Sequence, residues 1–401
     1  MATLLPGNCG DQPSSAVLEA WQTMRSSAMT IHAMICGGAV HRDSLNAMGD
    51  ESKSHEVLTH RGIALYLIKN ELSTTCRGKK PSDALLFSIL GLVSETNDEW
   101  RLRETNKSNT HPFRLSQLHQ GWEKSFVCIR YNKAHYHGLV ALVGEYGGLE
   151  NMESRWLAKM ISDLDLLMSA QELHQPLLPY IELEEIANLT SNPNLNILDP
   201  EPSGSRAPGS SLPYLQRSLG PSSDLALVLP RLQRIFVASD ALVQGTLRNF
   251  NLLAFIGEKG SLNHAILSIP PCPDRDSLYE PVRLATLILD VGIVFPLPPV
   301  TGVLGRLVRL MKNVVEDVNT YMSQLPEDWT EVIIWILFIA GIAAKGMPER
   351  IWFIDKLRDL VDRLGVKKWA DLKPFLRSFI WTANSMDEEA IGLWEDVRYS
   401  I

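Results

Sequence analysis

The sequence predicts an all-α fold, a large irregular array of helices with one disordered internal linker. Apolar residues recur at alternating steps of three and four along most of the chain, the spacing that places them on one face of a helix. Few segments alternate apolar and polar residues with period two, so strands are not expected. The array is interrupted between Asn192 and Asp224, where six prolines occur among many Ser and Gly residues.

The first predicted helix begins at Ser15, which is placed to cap it, and ends at Gly37 and Gly38. Pro374 interrupts the last apolar pattern, so a helix is expected to start or kink there. The same spacing predicts helical segments at Ser54–Leu72, Pro81–Glu95, Ala134–Tyr146, Glu153–Leu173, Asp224–Leu253, Asp276–Phe295, Val303–Met322, Trp329–Ala344, Pro348–Leu364 and Trp369–Trp381.

Four regions follow from this pattern. We expect a disordered N-terminus over residues 1–14, a helical half over 15–191, the linker over 192–224 and a second helical half over 225–401. With 45% hydrophobic residues, the two halves can form a continuous core. The most apolar run, Val332–Ala344, is shorter than the roughly 20 residues that cross a bilayer, so it predicts a buried core helix.

Charge and cysteine content exclude several classes of protein. A net charge of -8 argues against a surface built mainly to hold nucleic acid. The five cysteines include no C-x-x-C pair, and even the nearest two, Cys9 and Cys36, are 27 positions apart. This spacing excludes a zinc ribbon or zinc finger built from these cysteines. This sparse set fits reduced thiols in the nucleus or cytosol. The first 15 residues lack a basic segment followed by an apolar core, so secretion is not expected.

His135 and His137 are the natural metal ligands by residue type. On a helix, however, positions two apart point to nearly opposite sides, so these imidazoles are not expected to share one ion. His135 falls on the apolar stripe and predicts a hydrogen-bonded histidine at the edge of the core. We therefore predict no metal site here.

The glycines of the same segment predict packing and capping. Gly147 and Gly148 follow the last periodic residue and are interpreted as a C-terminal helix cap. Gly138 and Gly144 lie inside the helix, where each costs up to about 1 kcal/mol relative to alanine, so we expect close helix contacts to offset them.

No catalytic signature is present. The sequence lacks a nucleophile elbow, a Walker A loop, an H-E-x-x-H motif and a dinucleotide fingerprint. Asp163, Asp165 and the acidic run 387–389 are the nearest approach to a metal-diphosphate helix, and the first two are again two positions apart. We predict no catalytic residues and no cofactor.

Two groups of residues remain as candidates for binding. Arg306, Arg309 and Lys312 form a cationic stripe on a predicted helix, and residues 76–80 form a basic loop. Both are predicted to be solvated surface, and contact with phosphate is the alternative. An aromatic cluster in the C-terminal half predicts either ordinary core or the lining of an effector pocket. Its members are Trp335, Phe338, Trp352, Phe353, Trp369, Phe375, Phe379 and Trp381.

In order along the chain, these stretches resemble the regulatory region of fungal-specific transcription factors, the helical part of zinc binuclear cluster activators. The resemblance rests on "AHYHGLVALVGEYGGLENM", on the helix Leu157–Ala170 and above all on the C-terminal block from "DWTEVIIWILFIAGIAAKGMPERIW" onward. It covers roughly residues 50–190 and 220–397. Its structural landmarks are Gly147, Gly148, Pro348, Glu349 and Arg350.

The resemblance implies a nuclear regulatory protein, with cytoplasm as the other possible location. Such factors carry six cysteines that hold two zinc ions beside a basic recognition segment, and this sequence has none of that pattern. We therefore expect regulation through protein contacts or a small-molecule effector, without sequence-specific DNA binding by this chain. Other transcription regulators or a second copy are the expected partners. A helical small-molecule-binding protein or an enzyme of a secondary-metabolism type is the alternative.

Overall fold

The computed structural model describes residues 15–46, 55–75, 80–96, 111–115, 129–183, 209–220, 223–246, 251–272, 277–319 and 327–399. Within these residues the chain forms fifteen α-helices and two short strands, Ser94–Thr96 (β1) and Ile129–Tyr131 (β2), which pair antiparallel. The predicted all-α class is confirmed, since β1 and β2 are three residues each.

The chain divides into two compact units. Unit 1 comprises residues 1–108, 121–169 and 176–187, and unit 2 comprises residues 109–120, 170–175 and 188–401. Two short segments thus belong to unit 2 although they precede the linker predicted from composition.

Unit 1 contains the N-terminal helices. Helix α2 packs against α3 and α4, and α4 packs against α5. The helices are α1 (Ser15–Met24), α2 (Ala28–Asn46), α3 (His55–Thr75), α4 (Asp83–Val93), α5 (Lys133–Tyr146) and α6 (Arg155–Glu172), the last of which ends in unit 2.

The prediction of one helix from Ser15 to Gly37 and Gly38 was wrong. The chain leaves the helical conformation at residues 25–27, and α2 then runs through both glycines. Gly37 instead permits a close approach to α4, because a β-carbon there would lie 3.2 Å from the carbonyl oxygen of Gly91. Two helices that contact through glycine backbones gain packing that offsets the low helix propensity of glycine.

The expectation for the glycines inside α5 was also wrong. A β-carbon on Gly138 or Gly144 would meet nothing within 4 Å, so neither glycine is required by a close helix contact. Their cost to helix stability is therefore not offset by packing within the described structure.

Unit 2 contains the remaining helices. These helices are α7 (Leu212–Leu219), α8 (Asp224–Val243), α9 (Leu252–Leu267), α10 (Tyr279–Leu289), α11 (Val303–Asn319), α12 (Glu327–Ala343), α13 (Arg350–Arg363), α14 (Trp369–Arg377) and α15 (Ala383–Tyr399). Helix α12 lies at the centre of the unit, packed against α10, α11, α13, α14 and α15.

Helix α7 corrects the linker prediction. It lies inside the stretch 192–224, yet Leu215 is fully buried and the Ser211 hydroxyl donates to the Ser378 hydroxyl at 2.8 Å. High proline and glycine content concealed a short amphipathic segment that packs on α8. Residues 192–208 and the predicted disordered N-terminus, residues 1–14, lie outside the described residues.

The predicted core helix is confirmed as α12. Every residue from 332 to 344 is buried, which accounts for the unbroken apolar sequence. No described helix combines the length and the apolar character needed to cross a membrane. Pro374 does not start a helix, because α14 already begins at Trp369 and includes the proline.

Candidate functional site

The aromatic cluster predicted from the sequence is mainly core. Trp335, Phe338 and Phe353 are each 0% exposed, Phe379 is 1% exposed and Trp381 is 3% exposed. The Trp335 indole stacks on Phe379 with ring centroids 5.6 Å apart and donates to the Ile380 carbonyl oxygen at 2.9 Å. These rings pack on one another, and the Trp335 indole is hydrogen-bonded to the backbone, so the cluster stabilises the core of unit 2.

Phe375 is also buried, at 9% exposed. The remaining two members of the cluster lie nearer the surface. Trp369 is half-buried, with its ring centroid 6.4 Å from that of Phe338. Trp352 is half-buried on α13, where the Nζ atoms of Lys312 and Lys356 lie 5.9 and 5.8 Å from its ring centroid. Trp352 thus faces cations, whereas the buried rings face aliphatic core.

The landmark residues organise helix ends. Gly147 has φ +104° and caps α5, and the Gly148 N–H donates to the Val143 carbonyl at 2.9 Å, as the sequence predicted. After the exposed Pro348, Arg350 of α13 donates to the Gly341 carbonyl at 2.9 Å.

Arg350 also joins two helices by charge. Its Nη2 lies 2.7 Å from a carboxylate oxygen of Asp396 on α15, so one guanidinium binds both α12 and α15. The neighbouring Glu349 lies 3.9 Å from Arg309 of α11. The Pro-Glu-Arg motif therefore fixes α13 on the helices around it.

The metal and diphosphate candidates have structural roles. His135 is half-buried and its Nδ1 lies 3.0 Å from the Leu92 carbonyl oxygen, whereas His137 is exposed. Asp165 is 1% exposed and accepts hydrogen bonds from the backbone N–H of Leu177 and Leu178. Over the described ranges, no three or more His, Cys, Asp or Glu side chains gather as metal ligands.

Asp165 also accepts from the Tyr136 hydroxyl, and Asp163 pairs with Lys159. Burial raises the pKa of the Tyr136 hydroxyl, and the adjacent Asp165 carboxylate adds to the effect. Both acids are therefore committed to intrachain contacts.

The cationic stripe on α11 also contacts protein groups. Arg306 donates to the Gln171 carbonyl, and Lys312 lies 3.8 Å from Glu316. The basic loop falls at residues 76–79, outside the described residues, apart from Lys80, whose Nζ lies 3.6 Å from the Tyr146 ring centroid.

A buried polar cluster in unit 2 was not identified from the sequence. It consists of the buried Asn263 on α9 and Asp290 at the end of α10, and the half-buried Lys259 of α9 interacts electrostatically with Asp290. Asn263 and Asp290 are both 0% exposed, and Asn263 Nδ2 donates to Asp290 Oδ2 at 2.7 Å. Within the described residues, the other carboxyl oxygen, Asp290 Oδ1, and the single amide oxygen, Asn263 Oδ1, are buried without a hydrogen-bond partner.

A change in helical winding positions Asp290. Helix α10 ends at Leu289 and continues as a π turn over Asp290–Val294, closed by a hydrogen bond of 2.8 Å from the Phe295 N–H to the Asp290 carbonyl. Single π turns inside helical segments occur frequently at functional sites. The sequence signal was present, since Asp290 is the one charged residue in the apolar run 284–297.

Burial brings the two ionisable groups to similar proton affinity. It raises the pKa of Asp290 to about 7, against smaller opposing effects of the Asn263 hydrogen bond and the charge of Lys259. Burial likewise lowers the pKa of Lys259 to about 7, against the smaller effect of Asp290. Burial thus shifts the pKa of both groups toward neutral pH, and the charge of each group partly opposes the shift of the other.

A short segment, His111–Leu115, covers the other side of the π turn. Phe113 is 1% exposed and its ring lies against Gly292. The Arg114 N–H donates to the Ser385 carbonyl at 3.1 Å, which ties the segment to α15. Burial lowers the pKa of His111 to about 4, so this imidazole is neutral at physiological pH.

The polar cluster leaves hydrogen-bonding capacity unused. Asp290 Oδ1 and Asn263 Oδ1 are buried without hydrogen-bond partners in the described structure, and an unsatisfied buried polar atom costs about 1–3 kcal/mol. A bound molecule that donates hydrogen bonds would recover that free energy.

These features define the class, an all-helical domain with a polar cluster buried in its core. More particularly, residues 256–397 match the model of the family described as Fungal specific transcription factor domain. The resemblance inferred from the sequence is confirmed over these residues, which include the polar cluster and all eight residues of the predicted aromatic cluster. The matched family is not a family of enzymes. Comparison with curated proteins gave no match, and comparison with solved structures gave none.

Proposed function

We propose that this protein is a nuclear regulator of transcription that acts through its helical domain. The observation that carries the proposal is the match of residues 256–397 to the fungal-specific transcription factor domain. The packing of unit 2 supports it, because the contacts of the half-buried Arg350 and of the fully buried Trp335 lie within that match and join its helices.

The regulation runs through protein contacts or an effector, not through DNA reading by these 401 residues. The net charge of -8 and the absence of any C-x-x-C pair support this division of roles. So does the engagement of Arg306, Arg309 and Lys312 with groups of the same chain. The partners are other transcription regulators or a second copy of this chain.

A tethering experiment tests the regulatory role. The full chain is fused to a heterologous DNA-binding domain and its effect on a reporter is compared with that of the DNA-binding domain alone. We expect the reporter to rise or fall severalfold. Ile339→Asp, which places a charge in a fully buried position, provides the misfolded control and should abolish the effect. An unchanged reporter at equal protein level would reject the role.

Direct DNA binding is tested separately. The purified chain is titrated with promoter duplexes at physiological salt and at a tenfold lower salt concentration. Weak binding that vanishes at physiological salt is the expected result, since nonspecific contact depends on counterion release. Tight, sequence-specific binding would overturn the proposed division of roles.

The two buried oxygens of Asp290 and Asn263 that lack hydrogen-bond partners favour a small-molecule effector as the second mode of regulation. Asn263 Oδ1 accepts a hydrogen bond from such a ligand, whereas Asp290 Oδ1 accepts one when Asp290 is ionised and donates one when it is protonated. A thermal-shift screen of metabolites rich in amino or hydroxyl groups tests this mode on the full chain. Asn263→Leu removes one acceptor, so a genuine ligand should lose its shift in that variant and keep it in the exposed control Leu252→Ala.

A further inference from the structure

Two histidines of unit 1 face each other across a helix contact. His32 on α2 and His60 on α3 lie 28 positions apart in sequence, and their Nδ1 atoms are 2.7 Å apart. The ring centroids are 4.9 Å apart with an angle of 33° between the planes, and both side chains are half-buried. Because α2 and α3 pack against each other, both imidazoles are held on fixed backbone.

The contact brings together two identical nitrogens. A short Nδ1 to Nδ1 distance requires one ring to carry the hydrogen and the other to present its lone pair. Neutral imidazole nitrogen is also the commonest protein ligand of zinc, copper and nickel. The position between the two rings is therefore suited to a proton or to a metal ion.

The distance between the two nitrogens is close to the one needed for a metal ion to replace the shared hydrogen. Zinc binds imidazole nitrogen at about 2.0–2.1 Å, so two ligands of a tetrahedral ion lie about 3.3 Å apart. The observed separation of 2.7 Å must therefore increase by only about 0.6 Å, which small rotations of the two side chains supply.

We propose that His32 and His60 form a two-histidine site for a divalent late transition metal, Zn²⁺, Cu²⁺ or Ni²⁺. The ion bonds to both Nδ1 atoms, and the hydrogen of the donating ring moves through solvent to its own Nε2. Both rings stay neutral and no redox change occurs. Water completes the coordination sphere, because two protein ligands leave positions open.

Neighbouring groups are already engaged. Cys36, one turn after His32, is buried with its sulfur 3.8 Å from the Val57 carbonyl oxygen. Glu56, one turn before His60, forms an ion pair with Arg42 at 2.8 Å. The site is thus assigned two protein ligands, and it does not depend on the function proposed for unit 2.

Metal titration of the full chain tests the proposal. Metal-free protein is titrated with Zn²⁺, Ni²⁺, Cu²⁺ or Mg²⁺ by calorimetry and thermal shift. We expect one equivalent of each transition metal to bind and to raise Tm by several degrees, because an ion that binds only the folded state stabilises it. Mg²⁺, which prefers oxygen ligands, should have no effect.

Matched variants locate the ion. His32→Gln and His60→Gln should each lose the binding, whereas His137→Gln, which changes an exposed histidine of the same unit, should retain it. Electron paramagnetic resonance of the Cu²⁺-loaded natural sequence should show coupling to two nitrogens and needs no variant. Binding that survives in His32→Gln or His60→Gln, or a spectrum without two nitrogen ligands, would overturn the proposal.

Discussion

The ring of Phe113 lies so close to the backbone of Gly292 that a β-carbon at position 292 would come within 2.7 Å of Phe113 Cε2. Real β-carbons do not approach a ring atom so closely, so either the ring or the π turn would have to shift. Glycine at position 292 is therefore required by the segment His111–Leu115, which it allows to pack on the π turn.

Substitution of Gly292 should destabilise unit 2. We expect Gly292→Ala to lower the free energy of unfolding by about 1–3 kcal/mol through overpacking. Gly305→Ala is the matched control, because its β-carbon would meet only the ends of two flexible side chains, Met347 at 3.6 Å and Arg309 at 3.7 Å, and alanine favours the helix. Urea denaturation measures both.

The contact between Phe113 and Gly292 can also be tested by measuring the interaction energy between substitutions at the two positions. Phe113→Leu shortens the side chain, so adding it to Gly292→Ala should recover part of the loss, and a double-mutant cycle gives the interaction energy. Additive effects of the two substitutions would contradict the contact.

Asp290 predicts a pH dependence of stability. Its pKa is raised from 3.8 to about 7 in the folded state, so between these values the folded chain binds a proton that the unfolded chain releases. Stability from this group therefore falls as pH rises from about 4 to about 7. Asp290→Asn removes the titration, and its stability relative to the natural sequence should rise by roughly 2–4 kcal/mol over that range.

His111 contributes a pH dependence of stability of the opposite sign, and it is present in both the natural sequence and the Asp290→Asn variant. Its pKa is lowered from 6.5 to about 4, so its contribution to stability rises as pH rises through that interval. The difference between Asp290→Asn and the natural sequence cancels it. Asp355→Asn, which changes an exposed acid, should show no such pH trend. Parallel pH profiles for the natural sequence and Asp290→Asn would contradict a buried, protonated Asp290.

Arg350 is expected to stabilise unit 2 in a way that lysine cannot replace. Arg350→Ala should cost about 1–2 kcal/mol, since it removes bonds to the Gly341 carbonyl and to a half-exposed carboxylate. Arg350→Lys should recover little, because one ammonium lacks the fork that reaches both partners. Arg398→Ala breaks a more exposed pair with Asp362 and should cost under about 0.5 kcal/mol. If Arg350→Ala and Arg398→Ala lowered stability equally in thermal unfolding, the proposed role of Arg350 in joining α12 and α15 would be rejected.

Helix α7 offers a direct test of order within the proline-rich stretch. Leu215→Ala removes a fully buried side chain and should cost about 2–5 kcal/mol. Leu227→Ala, at a leucine that is 56% exposed on α8, should change stability by less than about 0.5 kcal/mol. A neutral Leu215→Ala in denaturant unfolding would mean that residues 212–219 behave as the linker inferred from composition.

Helix periodicity predicted much of the fold. Helix α12 was predicted within two residues at its start and one at its end, because thirteen consecutive apolar residues bounded by charges leave few alternatives. The cap at Gly147 was likewise predicted, since glycine after the last periodic residue has a local reason in its positive φ. Gly37 was misinterpreted because its partner, Gly91, is distant in sequence.

The sites divide in the same way. The sequence predicted His135 as a hydrogen-bonded histidine at the edge of the core, because it lies on the apolar face of its helix, but it did not predict the acceptor, the Leu92 carbonyl. Asp290 with Asn263, and His32 with His60, lie 27 and 28 positions apart, so no local spacing relates them. The aromatic cluster was left as core or pocket, and most of its rings are buried in unit 2.

The sequence by itself determined the helical class, the central apolar helix and the resemblance to a fungal-specific transcription factor domain, because each depends on residues near one another along the chain. Tertiary structure alone decided which groups are buried together. Asp290 became a proton-binding group by losing water, Gly292 became essential by meeting Phe113, and His32 met His60 through the packing of two helices. Burial and approach between distant segments are set by packing of the whole chain, which local pattern does not encode.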